Sequence, residues 1–266
     1  MEVQNRGLIG SITHSINKKE ELFDKSIARY MVRSMLACLF LTMGVAIASF
    51  IAGKADALVP NMGKFFYAFM FSWSLIMIIY MNAELGTSNM MYMTVAMHRK
   101  ILPVSKALRI LLTCILFNAI GAVVASFIMS FTQAYSTLEP DHYLFAATTA
   151  KLAKTPLQQF SEGIFANVIV NTAVFCSIRM KDDAGKVFAM IFIIFIFAFL
   201  GFEHVIANFS TFALSFFANG GPVEGMTVLS VLSNFLWSGL GNYVGGGIFI
   251  GLVYSWLNNK SELYFD

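Results

Sequence analysis

The chain has 266 residues, of which 58% are hydrophobic and only 12% are charged, and its mean hydropathy is +0.70. A water-soluble domain carries about twice this fraction of charged residues, so the composition excludes one. The formal net charge is only +3, and neither a nucleic-acid partner nor a cofactor is expected. The apolar stretches are continuous, whereas the strands of a membrane β-barrel alternate, so the sequence predicts an all-α membrane protein.

Residues 1–31 carry charges throughout and contain no apolar core, so no cleavable signal peptide is expected. They are predicted to form a cytoplasmic N-terminal segment, in which residues 5–24 form a surface or amphipathic element. The uncharged stretches that follow are long enough to cross a hydrocarbon core of roughly 30 Å, which takes about 20 helical residues. The six predicted spans are 32–53, 65–97, 107–132, 159–179, 187–218 and 228–257.

The placement of positive charges predicts the orientation of the spans. With both termini and the connections around residues 98–109 and 179–186 in the cytoplasm, the opposite side holds only four of the 18 Lys and Arg residues. Cytoplasmic loops carry the excess of such residues, so a multi-pass protein of the cell membrane with cytoplasmic termini is predicted. The longest connection, 133–158, is then external and is expected to contain a short helix after Asp141. The four external cations are Lys54, Lys64, Lys151 and Lys154.

Polar residues interrupt the second and fifth predicted spans. The second contains ELGTSN at residues 84–89, and the fifth contains GFEHVIAN at residues 201–208. Both carry Glu-x-x-x-x-Asn, and the two copies lie 119 positions apart. An ionised carboxylate at the centre of a membrane helix costs roughly 2.5–3.5 kcal/mol, so these glutamates are expected to have a use. Either Glu84 and Glu203 hold the broken backbone by accepting bonds from its freed N–H groups, or they contact a solute directly.

The spans that follow the interruptions also match each other. Residues 118–121 (NAIG) correspond to residues 242–245 (NYVG), 124 positions further along the chain. Residues 32–132 and 159–257 are therefore predicted to be two copies of one repeat, and three spans per copy make the repeat inverted. The chain is then a single transmembrane domain, 1–266, with a cytoplasmic tail at 258–266. Inverted repeats of this kind place the solute path at the broken helices.

Other functional classes find little support in the sequence. Cys38, Cys114 and Cys176 lie inside apolar runs without CxxC or Cys/His spacing, so neither a disulfide framework nor a metal site is predicted. The breaks contain no HExxH, no GxGD and no Ser/His pair, and two glutamates with one histidine make a poor zinc site, which disfavours an enzyme. A structural or sensory role is disfavoured because it would not account for the free-energy cost of placing the polar breaks within the membrane.

The string GFEHVIAN at 201–208 closely resembles the signature of the formate/nitrite transporter family. The resemblance extends over all six spans and includes ELGTS at 84–88, GIFAN at 163–167 and GNYVGG at 241–246. It implies a homopentamer surrounded by membrane lipid, in which each protomer has its own aquaporin-like pore for a small monovalent anion. Within the family, the chain is most similar to the hydrosulfide channels.

The resemblance also implies roles for individual residues. The pore histidine of the family falls on His204, and the threonine facing it falls on Thr87. The outer lysine falls on Lys151 and the pore-lining asparagine on Asn167, while Asn208 is expected to offer a further neutral donor. The expected apolar constriction consists of Phe71, Leu75, Leu85 and Phe197, and the expected structural residues at the breaks are Glu84, Gly86, Ser88, Gly201 and Glu203.

Two positions depart from the family pattern. Gly86 stands where formate channels carry a bulky aromatic residue, which predicts a looser loop, and Glu84 replaces a common aspartate. Each implied role also has a plainer interpretation. His204 is alternatively a packed core residue, Lys151 a solvated loop charge, and the constriction residues are alternatively lipid-facing or packing side chains.

The resemblance implies a passive channel, and in this hypothesis Lys151 attracts the anion and His204 donates a hydrogen bond or a proton to it. Hydrosulfide, HS⁻, is the favoured ion, and formate, nitrite and chloride are also expected to pass. The alternative is a secondary transporter that couples formate or nitrite to protons, because His204 is able to carry a proton in each cycle.

Overall fold

The computed structural model describes residues 7–258, and all regular elements in this part of the chain are helices. Residues 1–6 of the predicted N-terminal segment, and all but the first residue of the predicted tail at 258–266, lie outside the described residues. The helices, in chain order, are α1 (Gly7–Lys25), α2 (Ile27–Leu58), α3 (Gly63–Phe71), α4 (Trp73–Tyr80), α5 (Gly86–His98), α6 (Val104–Ser130), α7 (Tyr143–Leu152), α8 (Pro156–Arg179), α9 (Asp183–Leu200), α10 (Val205–Ala218), α11 (Val228–Asn242), a π-helical segment (Tyr243–Leu252) and α12 (Val253–Leu257).

Six helical segments are long and apolar enough to cross a membrane, which confirms the predicted all-α membrane fold. The second and fifth spans are broken where the sequence predicts. α4 ends at Tyr80 and α5 begins at Gly86, while α9 ends at Leu200 and α10 begins at Val205. The second span also has a minor interruption at Ser72, between α3 and α4.

α1 is an amphipathic helix that precedes the first span. Leu8, Ile12 and Ile16 are buried at four-residue spacing, which places them on one face of the helix. This face packs against α2, α5 and α8. The helix therefore lies across one mouth of the bundle, as the interpretation of residues 5–24 as an amphipathic element implies.

The first span is longer than predicted. α2 extends five residues beyond the predicted limits at each end, from Ile27 to Leu58 instead of 32–53. Ser26 caps its start by accepting a bond from the backbone N–H of Arg29. The prediction stopped at charged residues, but Arg33 and Lys54 lie near the helix ends, from which long side chains reach the membrane surface.

The sixth span contains a π-helical segment, Tyr243–Leu252, that the sequence did not predict. A side chain at Gly245 would collide with the carbonyl oxygen of Ile164, and one at Gly246 would collide with the amide of Asn167. Both partners lie on α8. Glycine is therefore required here because the two backbones approach too closely for a Cβ atom.

The connection at 133–158 contains the expected short helix, α7. It leads into α8 through a capping box, in which Thr155 and Gln158 bond each other's backbone N–H groups and Pro156 occupies the first turn. These local signals fix the direction in which the connection enters the fourth span. They also hold the last residues of α7 above the second helix break.

The two halves of the chain form an interlocked inverted repeat. α2 packs against α6 in the first half, and α8 packs against α11 in the second. The half-helices cross over: α5 packs against the π-helical segment of the second half, and α10 packs against α6 of the first. Each break is thus enclosed by helices from both copies.

Candidate functional site

The first break is held by one asparagine of the following span. Asn118 Oδ1 accepts the backbone N–H of Gly86 at 2.8 Å. Its Nδ2 donates to the carbonyl oxygens of Glu84 at 2.9 Å and Ser34 at 2.6 Å. Asn118 is fully buried, so these bonds satisfy backbone groups that no water reaches.

Asn242 does the same for the second break. Its Oδ1 accepts the backbone N–H of Val205 at 2.8 Å, and its Nδ2 donates to the carbonyl oxygens of Glu203 at 2.9 Å and Gly163 at 2.8 Å. Val205 lies 119 positions after Gly86, the same separation as between the two glutamates. The sequence match between 118–121 and 242–245 therefore marks the residues that bind the two breaks to their neighbouring spans.

The glutamates bind side chains rather than the freed backbone. Glu84 Oε2 accepts from Lys19 Nζ at 2.6 Å and from Asn89 Nδ2 at 3.0 Å. The expectation that Glu84 accepts freed backbone N–H groups was wrong, because an asparagine of the following span takes that role at Gly86. Lys19 was missed, because nothing in the sequence of an amphipathic helix singles out one lysine for a partner 65 residues away.

Glu203 has two cationic partners. Its Oε1 accepts from Lys151 at 3.1 Å and Lys154 at 2.7 Å, and its Oε2 accepts from Asn208 at 2.6 Å and Asn234 at 3.1 Å. Within residues 7–258 no backbone N–H bonds this carboxylate, so the same correction applies here. Its side chain is fully buried, so the four donors replace the hydration that the carboxylate loses.

A single hydrogen bond joins the two breaks at the centre of the bundle. Thr87 Oγ1 lies 2.8 Å from His204 Nε2, and both side chains are buried. The other ring nitrogen of His204, Nδ1, accepts the backbone N–H of Ala207 and so caps α10. In neutral imidazole the proton is then on Nε2, which donates to the threonine oxygen. The structure thus brings together the two central residues that the sequence predicts.

One cavity lies on each side of this contact. The α1-side cavity has a volume of about 320 Å³ and is lined by residues of α1 and the first break, including Lys19, Glu84 and Ser88. The α7-side cavity has a volume of only about 40 Å³ and is lined by residues of the second break, including His204 and Lys151. A hydrogen-bonded pair with a cation on either side is the central feature of the site.

Apolar side chains lie in both cavities next to the pair. Leu75 and Leu85 line the α1-side cavity. Phe71 and Phe197 line the α7-side cavity with ring centroids 5.8 Å apart, and the ring of Phe197 is also 5.8 Å from that of His204. The structure therefore brings all four predicted constriction residues to the site, two in each cavity.

The predicted asparagines occupy different places. Asn208 lines the α7-side cavity, but its Nδ2 is used by Glu203 and Asn234, so its amide is not a free donor. Asn167 lines neither cavity, and its Nδ2 donates to the carbonyl oxygens of Thr87 at 3.1 Å and Asn242 at 2.7 Å. Asn167 thus connects the first break to Asn242, the residue that binds the second break.

Glycine at two positions has a steric reason. A Cβ atom at Gly86 would lie 3.0 Å from Asn118 Oδ1 and 2.9 Å from Ile115 Cγ1, so the first break is tightly packed and the expected looser loop is wrong. Gly201 ends α9 with φ of 72°, in the left-handed region that glycine adopts without strain. Its carbonyl oxygen accepts a bond from Lys154 Nζ at 2.7 Å.

Lys151 lies at the end of α7, outside the membrane spans, and faces the second break. Burial lowers the pKa of its ammonium group below the usual 10.5, and the negative charge of Glu203 opposes this shift. The lysine lines the α7-side cavity and is not the solvated loop charge of the plainer interpretation.

The formate/nitrite transporter family profile matches residues 8–256, which is nearly the whole described chain. The chain belongs to the formate/nitrite transporter family. An uncharacterized transporter of Bacillus subtilis, YwcJ, is 28% identical over 91% of this chain and 93% of its own length. A formate-nitrite transporter of Plasmodium falciparum is 29% identical over 89% and 80% of the two chains, and the nitrite transporter NirC of Escherichia coli is 25% identical over 88% and 85%.

Solved structures agree on the fold. An FNT family ion channel superimposes with a TM-score of 0.87, at 24% identity, over 94% of this chain and 98% of its own. A pentameric formate channel with formate bound gives a TM-score of 0.74, at 23% identity, over 88% and 97%. The protein is therefore a multi-pass membrane protein of a transporter and channel family and not an enzyme, as its sequence predicts.

Proposed function

We propose that the protein is a passive channel for small monovalent anions, with hydrosulfide favoured and formate, nitrite and chloride also admitted. The observation that carries the proposal is the Thr87–His204 hydrogen bond between two cavities that each contain a lysine. An anion entering a narrow apolar pore loses hydration, so it needs attraction and replacement bonds. The lysines supply the attraction, and His204 Nε2 supplies the bond.

The mechanism follows from the order of groups along the path. On the α7 side, the anion reaches Lys151 and passes between Phe71 and Phe197 to His204. There His204 Nε2 turns from the threonine oxygen to the anion and donates a hydrogen bond. The ion, or the neutral acid that it forms with a proton taken from solvent water, then passes Leu85 and leaves through the α1-side cavity.

The preference for hydrosulfide rests on size. The α7-side cavity has a volume of about 40 Å³, compared with about 320 Å³ for the α1-side cavity, so it is the narrower part of the path. HS⁻ has one heavy atom, whereas formate and nitrite have three. The narrow side of the site therefore accepts HS⁻ with the least displacement of its aromatic walls.

Flux measurements in proteoliposomes test the proposal. We expect HS⁻, formate, nitrite and chloride to equilibrate down their gradients, with HS⁻ fastest, at external pH values from 5 to 8. Saturating formate flux with negligible hydrosulfide flux would contradict the preferred ion. Absence of flux for all four anions would contradict the channel itself.

The alternative is a proton-coupled formate or nitrite transporter, which is favoured by the buried position of His204 between the two cavities. In that case an imposed proton gradient would accumulate the anion above its electrochemical equilibrium with a fixed stoichiometry. Under the channel proposal the net flux stops at equilibrium, and unitary currents are measurable in planar bilayers.

We also propose a homopentamer in the cell membrane with both termini in the cytoplasm. The described pentameric formate channel supports the assembly, and the charge distribution supports the orientation. Exposed apolar side chains such as Phe188, Phe192 and Ile196 on α9 fit contact with lipid or a neighbouring protomer. Native mass spectrometry tests the assembly, and protease accessibility of a tag at residue 1 tests the orientation.

A further inference from the structure

The two cavities differ in their balance of charge. On the α7 side, Lys151 and Lys154 are matched by Glu203 and Glu162, and all four take part in ion pairs. On the α1 side, Lys19 is paired with Glu84 at 2.6 Å. Two further cations, Lys18 and Arg33, line the same α1-side cavity, and within residues 7–258 neither has an ion pair.

The α1-side cavity is also larger than the proposed permeant ions require. Its volume of about 320 Å³ is roughly eight times that of the α7-side cavity, at about 40 Å³. Lys18 and Arg33 are exposed, so the cavity opens to solvent on this face. An anion with several heavy atoms and more than one charge fits this space and this charge better than a small monovalent ion.

Hydroxyl groups complete the lining. Ser88 and Tyr92 place hydroxyl groups in the same cavity, as do Ser15 and Ser177, whose hydroxyl protons are donated to the carbonyl oxygens of Ser11 and Val174. Ser88 lies in the first turn of α5, where the positive end of the helix dipole favours an anion, and its hydroxyl has no hydrogen-bond partner among residues 7–258. Hydroxyl groups and two free cations together are the groups that bind phosphoryl oxygens.

The inner end of the cavity is closed to such an anion. Leu75 and Leu85 line it, and the Thr87–His204 contact lies behind them. An ion that fills 320 Å³ cannot enter the 40 Å³ of the opposite cavity. A multivalent anion would therefore stay in the α1-side cavity and obstruct the path from that face alone.

We propose that the α1-side cavity is a binding site for multivalent phosphoryl anions, which obstruct the channel from the α1 face. Lys18 and Arg33 bind the ligand's charge, and Ser88 and Tyr92 bind its oxygens. The obstruction rests on the proposed channel function, whereas the binding does not.

Calorimetric titration of the purified full-length protein in detergent micelles with pyrophosphate tests the binding. We expect one saturable site per chain, weakened about 100-fold in the double variant Lys18→Gln/Arg33→Gln, because each charge-assisted contact contributes about tenfold. The matched control is Arg29→Gln/Lys100→Gln, which removes two exposed cations that do not line the cavity. Absence of saturable binding, or equal weakening in both double variants, would refute the site.

Formate flux in oriented proteoliposomes tests the obstruction. We expect pyrophosphate to inhibit only when added to the α1 face, and inhibition of the Lys18→Gln/Arg33→Gln variant to need about 100-fold more pyrophosphate. Equal inhibition from both faces would overturn the proposal. Absence of wild-type anion flux with intact calorimetric binding would reject the channel and leave the site standing. Titration with adenosine monophosphate beside inorganic phosphate shows whether an ester or the free ion binds more tightly.

Discussion

The two helix breaks are held by the same pattern of hydrogen bonds but differ in the residues that face the centre of the bundle. In both, a glutamate bonds the asparagine five residues later, and an asparagine of the next span bonds the opened backbone. The position of His204 in the second break corresponds to Leu85 in the first, 119 residues earlier. The residues that hold the breaks were thus kept in duplicate, while the residues that face the centre diverged. Each half supplies one member of the central Thr87–His204 pair.

The variants with the largest expected effect test the hydrogen-bond pattern that the two breaks share. Asn118→Leu and Asn242→Leu each leave a backbone N–H and two carbonyl oxygens without their side-chain partner. At about 1–3 kcal/mol for each buried unsatisfied group, we expect loss of most folded protein in both variants. Size-exclusion yield and thermal unfolding in detergent measure this.

The control for these variants is Asn219→Ala, because Asn219 is an exposed loop residue. We expect it to unfold at the wild-type temperature. If only one of the two buried asparagines were essential, the breaks would not be equivalent structures.

The second prediction compares the ion pairs of the two breaks. Glu203→Gln leaves Lys151 without an ion pair and removes one of the two partners of Lys154, which keeps Glu162, whereas Glu84→Gln affects Lys19 alone. Removing one partner of a buried ion pair costs about 3–5 kcal/mol, so we expect Glu203→Gln to lower the unfolding temperature below that of Glu84→Gln. Thermal unfolding of both variants in the same detergent measures the difference. Equal unfolding temperatures would contradict the difference in charge between the breaks.

The third prediction concerns the position at which the breaks diverge. His204→Ala removes the donor at the centre, and we expect weak-acid flux to fall about 100-fold with a flattened pH profile. Leu85→Val at the corresponding position widens the path, and we expect flux to rise. Both are measured as initial rates in proteoliposomes between pH 5 and 8. A His204→Ala protein with unchanged rate and pH profile would rule out hydrogen-bond donation by this residue.

The smallest effect is expected at Lys151. Lys151→Gln removes the attraction on the α7 side, and we expect flux at low anion concentration to fall about tenfold, with Lys64→Gln, at an exposed position, as control. A lysine is charged at pH values below its pKa, and burial lowers the pKa of Lys151. As the pH rises, Lys151 therefore loses its charge, and with it the attraction for the anion, at a lower pH than an ordinary lysine does. Lys151→Arg stays charged, so its flux should persist at alkaline pH. Identical alkaline profiles for lysine and arginine would contradict this.

Much of the fold follows from local sequence patterns. Uncharged stretches indicate the six spans, the two Glu-x-x-x-x-Asn strings mark the breaks, and residues 118–121 and 242–245 reveal the repeat. The central pair, Thr87 and His204, was predicted from the family resemblance, and the structure places its atoms in contact. These features can be predicted from the sequence because each depends on residues close together in the chain or on a distinctive sequence motif.

What the sequence did not predict depends on distant packing. Lys19 reaches Glu84 only because α1 folds across the mouth of the bundle, and the tight space around Gly86 is made by Ile115 and Asn118 on another helix. The need for glycine at positions 245 and 246 likewise comes from α8, which lies too close for a side chain. No local pattern distinguishes these residues from ordinary surface lysines or flexible glycines.

The crossing of the two half-helices has a consequence for how such a chain could have arisen. α5 completes its contacts on the sixth span and α10 on the third, so neither half encloses its own break. A single three-span unit would leave opened backbone facing lipid, which membranes do not tolerate. A unit of half this length would therefore need a second copy of itself, inserted in the opposite orientation, to enclose its break.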